Sequence, residues 1–238
     1  MDSITQIIDG GTPFSIFKTY IEAYTPYIDL VKFGWGSSMI DPEIVNKINL
    51  LKEKKIPFNP GGTLFEYFYS RNKLDEYNNF LEKYGFEWIE LSRGTIWIED
   101  AEYSSLLEDY SSQYSVLSEI GYKSTTKSDQ MTSNDWVQSC QMSIDYGADL
   151  VVIEARESGT AGIVDKNGEI KDQTIKELIL KVGLERILFE APTKQLQTFL
   201  INNYGSSVNL GNISIQSVLP LVALRQNLRS DTLISHSV

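Results

Sequence analysis

The chain has one cysteine, one histidine and no long apolar run among its 238 residues. The lone Cys140 has no partner for an internal disulfide, which suits a reducing compartment, and it sits in the helical pattern WVQSCQMSI as an ordinary packing residue. The only histidine, His236, lies near the C-terminus, so a His-based triad or a His-rich zinc centre is not expected. No stretch of about 18 apolar residues is present to span a membrane. The opening MDSITQIIDGG lacks the basic and apolar blocks of a secretory signal, and a cytoplasmic location is expected. Lys and Arg number 21 against 32 Asp and Glu, a net charge of -11 that disfavours nucleic acid and anionic lipid as partners. A dinucleotide fingerprint is also missing: GWG at Gly34–Gly36 and GG at Gly61 and Gly62 lack the full GxGxxG spacing.

What is present is alternation. Apolar or β-branched runs recur as ITQII (4–8), YIDLVKF (27–33), IPFN (56–59), EWIEL (87–91), YSVLSEI (114–120), ADLVVIEA (148–155), RILFEA (186–191) and SVNLGNI (207–213). Segments with apolar residues every three or four separate most of them, for example PFSIFKTYIEAY, PEIVNKINLLKEKK, KLDEYNNFLEKYG and SNDWVQSCQMSIDYG. Asn134 and Asp135 suit a helix start, and Gly85 and Gly147 suit stops. Eight strands joined by helices at this spacing predict an α/β fold, a single (β/α)8 TIM barrel over residues 1–238. A doubly wound open sheet is the competitor. The first run starts so early that nothing precedes it to cover the barrel bottom, which leaves side chains, the C-terminal segment or a second subunit for that task.

Chemistry in such a barrel belongs at the C-terminal strand ends. Runs four to seven carry a carboxylate there: Glu90, Glu119, Glu154 and Glu190. Converging carboxylates can ligate Mg2+ or orient lysines and water, while the competing reading is an ion-pair network that only holds the barrel together. Lys32, Lys123 and Arg156 fall on the same rim and are candidates for phosphate or carboxylate recognition. Ser92, Thr63 and Asn209 add neutral groups at strand ends, either for substrate or for helix capping, and Asp9 adds a carboxylate after the first strand. Arg225 and Arg229, four apart, suggest one helical face bearing surface ion pairs.

The blocks YIDLVKFGWGSS, NPGGTLFEY, WIELSRGTI, VLSEIGYK, GADLVVIEARESGTAGI, RILFEAPTK, SSVNLGNI and LRQNLRSDT, in this order, resemble the phosphosulfolactate synthase family, enzymes that join sulfite to phosphoenolpyruvate. The resemblance implies a (β/α)8 barrel, Mg2+ dependence and an enolate-like mechanism. Carried onto this sequence, it makes Lys123 the general acid for C2, with Lys32 and Glu119 beside it in the catalytic group. Arg156, Asn209, Ser92 and Thr63 become substrate-binding candidates, and Glu90, Glu154 and Glu190 the candidate Mg2+ ligands. Two departures stand out: Arg93 occupies a position where the family often has a small acidic or amide residue, with Trp97 close behind, and Gly10 replaces a common lysine. The alternatives are another phosphoenolpyruvate or phospho-hydroxyacid enzyme, or a noncatalytic stress-associated barrel whose mouth Arg93 and Trp97 fill. A homo-oligomer is a further expectation.

Overall fold

The computed structural model describes residues 3–155 and 161–233. Each apolar run overlaps a short strand: β1 Thr5–Asp9, β2 Leu30–Phe33, β3 Phe58–Pro60, β4 Trp88–Ser92, β5 Ser115–Ile120, β6 Leu150–Ile153, β7 Ile187–Glu190 and β8 Leu210–Ser214. All pairings are parallel, in the order β3-β2-β1-β8-β7-β6-β5-β4. An open doubly wound sheet would leave its two outer strands far apart; here β3 and β4 lie side by side, so the sheet curls into a near-closed barrel. Among the described residues these two strands share no backbone ladder, and a side chain bridges the seam instead: Gly62 donates its backbone N–H to Glu90 Oε1 at 2.8 Å.

The surrounding helices are α1 Phe14–Tyr24, α2 Ser37–Ile40, α3 Ile44–Lys54, α4 Gly62–Tyr69, α5 Leu74–Tyr84, α6 Asp100–Ser111, α7 Thr125–Gln130, α8 Ser133–Asp145, α9 Asp172–Val182, α10 Lys194–Tyr204 and α11 Val218–Arg225. Their stripes meet the outer barrel face in the expected way. In α8, Trp136, Val137, Cys140 and Ser143 are buried, spaced to share one face. Helix α8 starts slightly earlier than Asn134: Thr132 is the N-cap and Asp135 completes a reciprocal capping box, worth about 1 kcal/mol. Gly85 ends α5 in the left-handed conformation (φ 67°), where its N–H caps the carbonyls of Leu81 and Glu82.

Inside the barrel, side chains stack in layers. Leu30, Leu117, Leu150, Val152 and Leu188 form an apolar floor with Ile4 and Trp88 against it. The bottom is therefore closed by packed side chains. Arg225 reinforces that end by donating to the carbonyls of Ser206, Val208 and Ile4. It does so from the last residue of α11, so Arg225 and Arg229 do not share a helical face; Arg229 lies beyond the helix, 3.8 Å from Asp231. Above the floor, buried Gln6 donates to Asn59 at 3.3 Å, and above that the barrel turns charged.

Candidate active site

The mouth is a cavity of about 280 Å3 between the C-terminal strand ends, and Lys32, Glu90, Glu119, Lys123, Glu154 and Glu190 all line it. Strand alternation turns Lys32 inward from β2, where its ammonium lies 2.8 Å from Glu90, 3.0 Å from Glu190 and 3.7 Å from Glu119. Burial alone would lower its proton affinity, but the three carboxylates outweigh it and hold the pKa well above the ordinary lysine value. Burial pushes Glu90 up to about 7 in spite of Lys32. Glu119 goes the other way, because Lys123 and Lys32 together overcome its desolvation and bring it down to about 2. Glu154 is raised well above the carboxylate range by burial and by the neighbouring Glu190 and Glu119.

Lys123 follows β5 and reaches back over the rim. Its Nζ lies 3.3 Å from Glu119 Oε1 and donates to Thr63 Oγ1 at 3.0 Å. Desolvation opposes its charge, yet Glu119, Glu154 and Glu66 raise its pKa, so it is an ammonium throughout the neutral range. Helix α4 supplies the cradle. A Cβ at Gly62 would stand 2.7 Å from the Cβ of Ser92, so glycine lets the first turn of α4 close onto β4. Glu66, three residues further along α4 than Thr63 and invisible to a search for strand ends, accepts from Ser92 Oγ and from the backbone N–H groups of Gly94 and Thr95. Gly94 in turn accepts from the Lys123 N–H at 3.2 Å. Ser92 is thus spent on Glu66 beneath the cavity, while Thr63 touches Lys123 directly.

Asn209 is not at a strand end. It precedes β8 at the barrel bottom, where its Oδ1 accepts from Ile4 N and its Nδ2 donates to the carbonyls of Glu185 and Ile187. The eighth strand begins at Leu210, three residues later than the apolar run suggested, and this shift puts Asn212 at the mouth instead. Asp9 is also committed elsewhere: it holds the fully buried Lys47 at 2.7 Å and accepts from the N–H groups of Gly11 and Thr12. Lys47, which sits in the middle of an amphipathic helix, carried no signal of this role. Arg156 lies outside the described residues.

Glu90, Glu154 and Glu190 do not form a ready-made metal triad, because the Lys32 ammonium stands between Glu90 and Glu190, and Glu190 Oε2 accepts from Ala155 N. Among the described residues, no three Asp, Glu, His or Cys side chains are grouped to hold an ion. The donor chemistry nevertheless fits Mg2+, which usually takes only one or two carboxylates and fills its shell with water and substrate oxygens. Glu90 Oε2 and Glu154 Oε2 are both buried without a hydrogen-bond partner among the described residues; Glu90 is already gripped by Lys32 through its other oxygen, which leaves Glu154 the better suited to that use.

Arg93 and Trp97 leave the mouth open. Arg93 turns away to pair with Asp100 at 2.6 Å, to donate to the Ile98 carbonyl and to lie over the Tyr103 ring. Trp97 is 67% exposed and donates to Glu99. Both line a separate groove that shares no residue with the charged cavity. The aromatic residue that does reach the cavity is Trp35, in a left-handed backbone conformation (φ 51°, ψ 30°) that costs a non-glycine residue roughly 1–2 kcal/mol.

No helix among the described residues is long and apolar enough to cross a membrane. Among solved structures, the fold is similar to 3-keto-L-gulonate-6-phosphate decarboxylase from Vibrio cholerae (TM-score 0.60, 10% identity, 95% of this chain and 97% of that one). It is also similar to phosphonopyruvate hydrolase solved with oxalate and Mg++ (TM-score 0.59, 12% identity, 98% and 89%). At such identities the likeness concerns the barrel alone. Sequence relatives are much nearer. Phosphosulfolactate synthase of Methanocaldococcus jannaschii is 42% identical over 233 residues, covering 96% of this chain and 93% of the relative. The phosphosulfolactate synthase of Bacillus subtilis is 39% identical over 227 residues, covering 95% and 90%. The family model for (2R)-phospho-3-sulfolactate synthase (ComA) matches residues 1–231, and the chain belongs to that family.

Proposed function

We propose that the chain works as one barrel domain, residues 1–238, that adds sulfite to C3 of phosphoenolpyruvate and forms (2R)-phospho-3-sulfolactate. The observation that carries this reading is the Lys123 ammonium, held by Glu119 and Thr63 at the edge of a cavity that Lys32 also lines, with Glu119 between the two cations. The sulfur lone pair of sulfite forms the C3–S bond, and the C2=C3 π pair moves onto C2 and into the carboxylate. Lys123 then delivers its proton to one face of C2, which sets the configuration, and the amine recovers a proton from water. Glu119 keeps that ammonium charged and aimed; Thr63 fixes its rotamer. Lys32, bound to three carboxylates, sets the shape and charge of the mouth and offers its positive field to the substrate's anionic groups.

Mg2+, held through Glu154 with water and substrate oxygens, would supply electrostatic attraction to the oxygen charge that develops on the carboxylate. The lone buried thiol of Cys140 and the acidic surface fit a reaction in the cytoplasm between small anions, with no nucleic acid or membrane partner. The noncatalytic alternative loses its main support, because neither Arg93 nor Trp97 fills the mouth. The deciding experiment is incubation of the purified chain with phosphoenolpyruvate, sulfite and Mg2+, with phosphorus NMR and mass spectrometry of the product. A sulfite-dependent phosphosulfolactate signal is expected; a folded chain that yields none refutes the reading.

A further inference from the structure

The GWG run after β2 has no part in the proton transfer, yet its central residue is placed against two local preferences. The Trp35 backbone is left-handed, and the residue remains 55% exposed. Neither feature stabilises the folded chain, and strained residues of this kind persist where the surroundings hold them for a purpose. The ring lies across Gly10 in the turn after β1: a Cβ on Gly10 would fall 1.9 Å from Cζ3 and 2.5 Å from Cε3 of the indole. A bare residue at position 10 and a strained one at position 35 together bring the indole to the cavity wall.

That wall differs from the one opposite. Strands β4 to β7 present four carboxylates and the loop after β5 presents Lys123, whereas the side built from β1, the turn after β2, and β8 offers Ile8, Gly34, Trp35 and Asn212. Phosphoenolpyruvate is divided too: its anionic phosphate and carboxylate call for the cations, Lys123 and Lys32, that stand among those carboxylates, and its flat, apolar C2=C3 methylene fits the uncharged side. We propose that Trp35 is a specificity-determining residue that lays its indole against the planar methylene face of phosphoenolpyruvate. The inference rests on the functional reading above and deepens it. The ring selects a flat three-carbon phosphoacid over a tetrahedral one and keeps water from C2 until Lys123 delivers the proton.

The test is calorimetric titration of the full chain with phosphoenolpyruvate and, separately, with 2-phospholactate, its tetrahedral analogue, alongside thermal melts. The proteins are wild type, W35G, W35F and G10A. W35G is expected to melt no lower than wild type, since glycine adopts the left-handed backbone freely. Its affinity for phosphoenolpyruvate should fall about tenfold, the equivalent of uncovering ~50 Å2 of ring face, and its preference for the planar ligand should narrow. W35F should retain most of that preference, and G10A should weaken binding with the indole still present but displaced. Equal phosphoenolpyruvate binding by wild type and W35G, or a clearly lower melting temperature in W35G, overturns the proposal and leaves the synthase reading standing. Wild type that binds neither ligand overturns the synthase reading and this inference together.

Discussion

Replacing Lys32 by methionine tests whether the mouth is an interdependent charge network. The substitution keeps the length of the side chain and removes the one cation placed 2.8 Å from Glu90, 3.0 Å from Glu190 and 3.7 Å from Glu119. Leaving buried carboxylates without their partner costs about 3–5 kcal/mol, which is a large part of a typical domain's stability. In the wild type, Lys32 contributes its stability fully below the ordinary lysine pKa and loses it only as pH rises through its still higher folded value. Glu90, with a folded pKa raised to about 7, favours the folded state at low pH and loses that advantage as pH climbs from the free carboxylate value through 7. Above pH 7 the wild type is therefore flat with respect to both groups. In Lys32→Met the uncompensated carboxylates hold protons at still higher pH, so the folded variant binds more protons than its unfolded chain. Its stability should rise by about 1.4 kcal/mol for each unit of falling pH per extra proton. Urea denaturation at half-unit steps from pH 6 to 8.5 measures this. A variant as stable as wild type at pH 8, or one whose slope between pH 7 and 8.5 is no steeper than that of wild type, in which buried Glu154 also holds its proton above the carboxylate range, refutes the network.

Three further outcomes follow from the geometry. Lys123→Ala should lower kcat by about 10²–10⁴ in a chain that still folds, with part of its stability lost because buried Glu119 keeps only Lys32 as a cation; steady-state kinetics that match wild type would remove it from the reaction. Asn209→Ala should destabilise the fold by about 1–3 kcal/mol through its lost bonds to Ile4, Glu185 and Ile187, with KM for phosphoenolpyruvate unaltered. A raised KM with normal stability would return Asn209 to the substrate. Arg93→Ala should leave turnover unchanged, since its guanidinium is engaged by Asp100 and Ile98, and a tenfold loss of kcat/KM would show that it swings into the mouth during catalysis.

Strand and helix periodicity carried the barrel, because each run buries one face and the alternation leaves few topologies open. Three of the four carboxylates were legible for the same reason: a strand that alternates inside and outside puts Glu90, Glu119 and Glu190 on the interior side once its end is located, and Glu154 follows directly after β6. What failed was resolution at boundaries. A three-residue error at the start of β8 exchanged Asn212 for Asn209 and moved a polar residue from mouth to floor. Glu66 and Lys47 were hidden because both lie on helices, where a charged residue usually faces solvent; only the three-dimensional approach of α4 and α3 to the strand ends reveals their buried partners. The competition between Lys32 and a metal for the same carboxylates is likewise a matter of distance, which spacing along the chain does not encode.

The seam between β3 and β4 gives the barrel the character of a bracelet with a clasp. Seven contacts around the ring are fastened by rows of backbone rungs that no protonation event disturbs. The eighth has no such rungs among the described residues and is spanned by the side chains of Glu66 and of Glu90, whose Oε1 is the same atom that grips Lys32. A shift of charge at the mouth therefore bears directly on the one side of the ring that has no backbone rungs among the described residues.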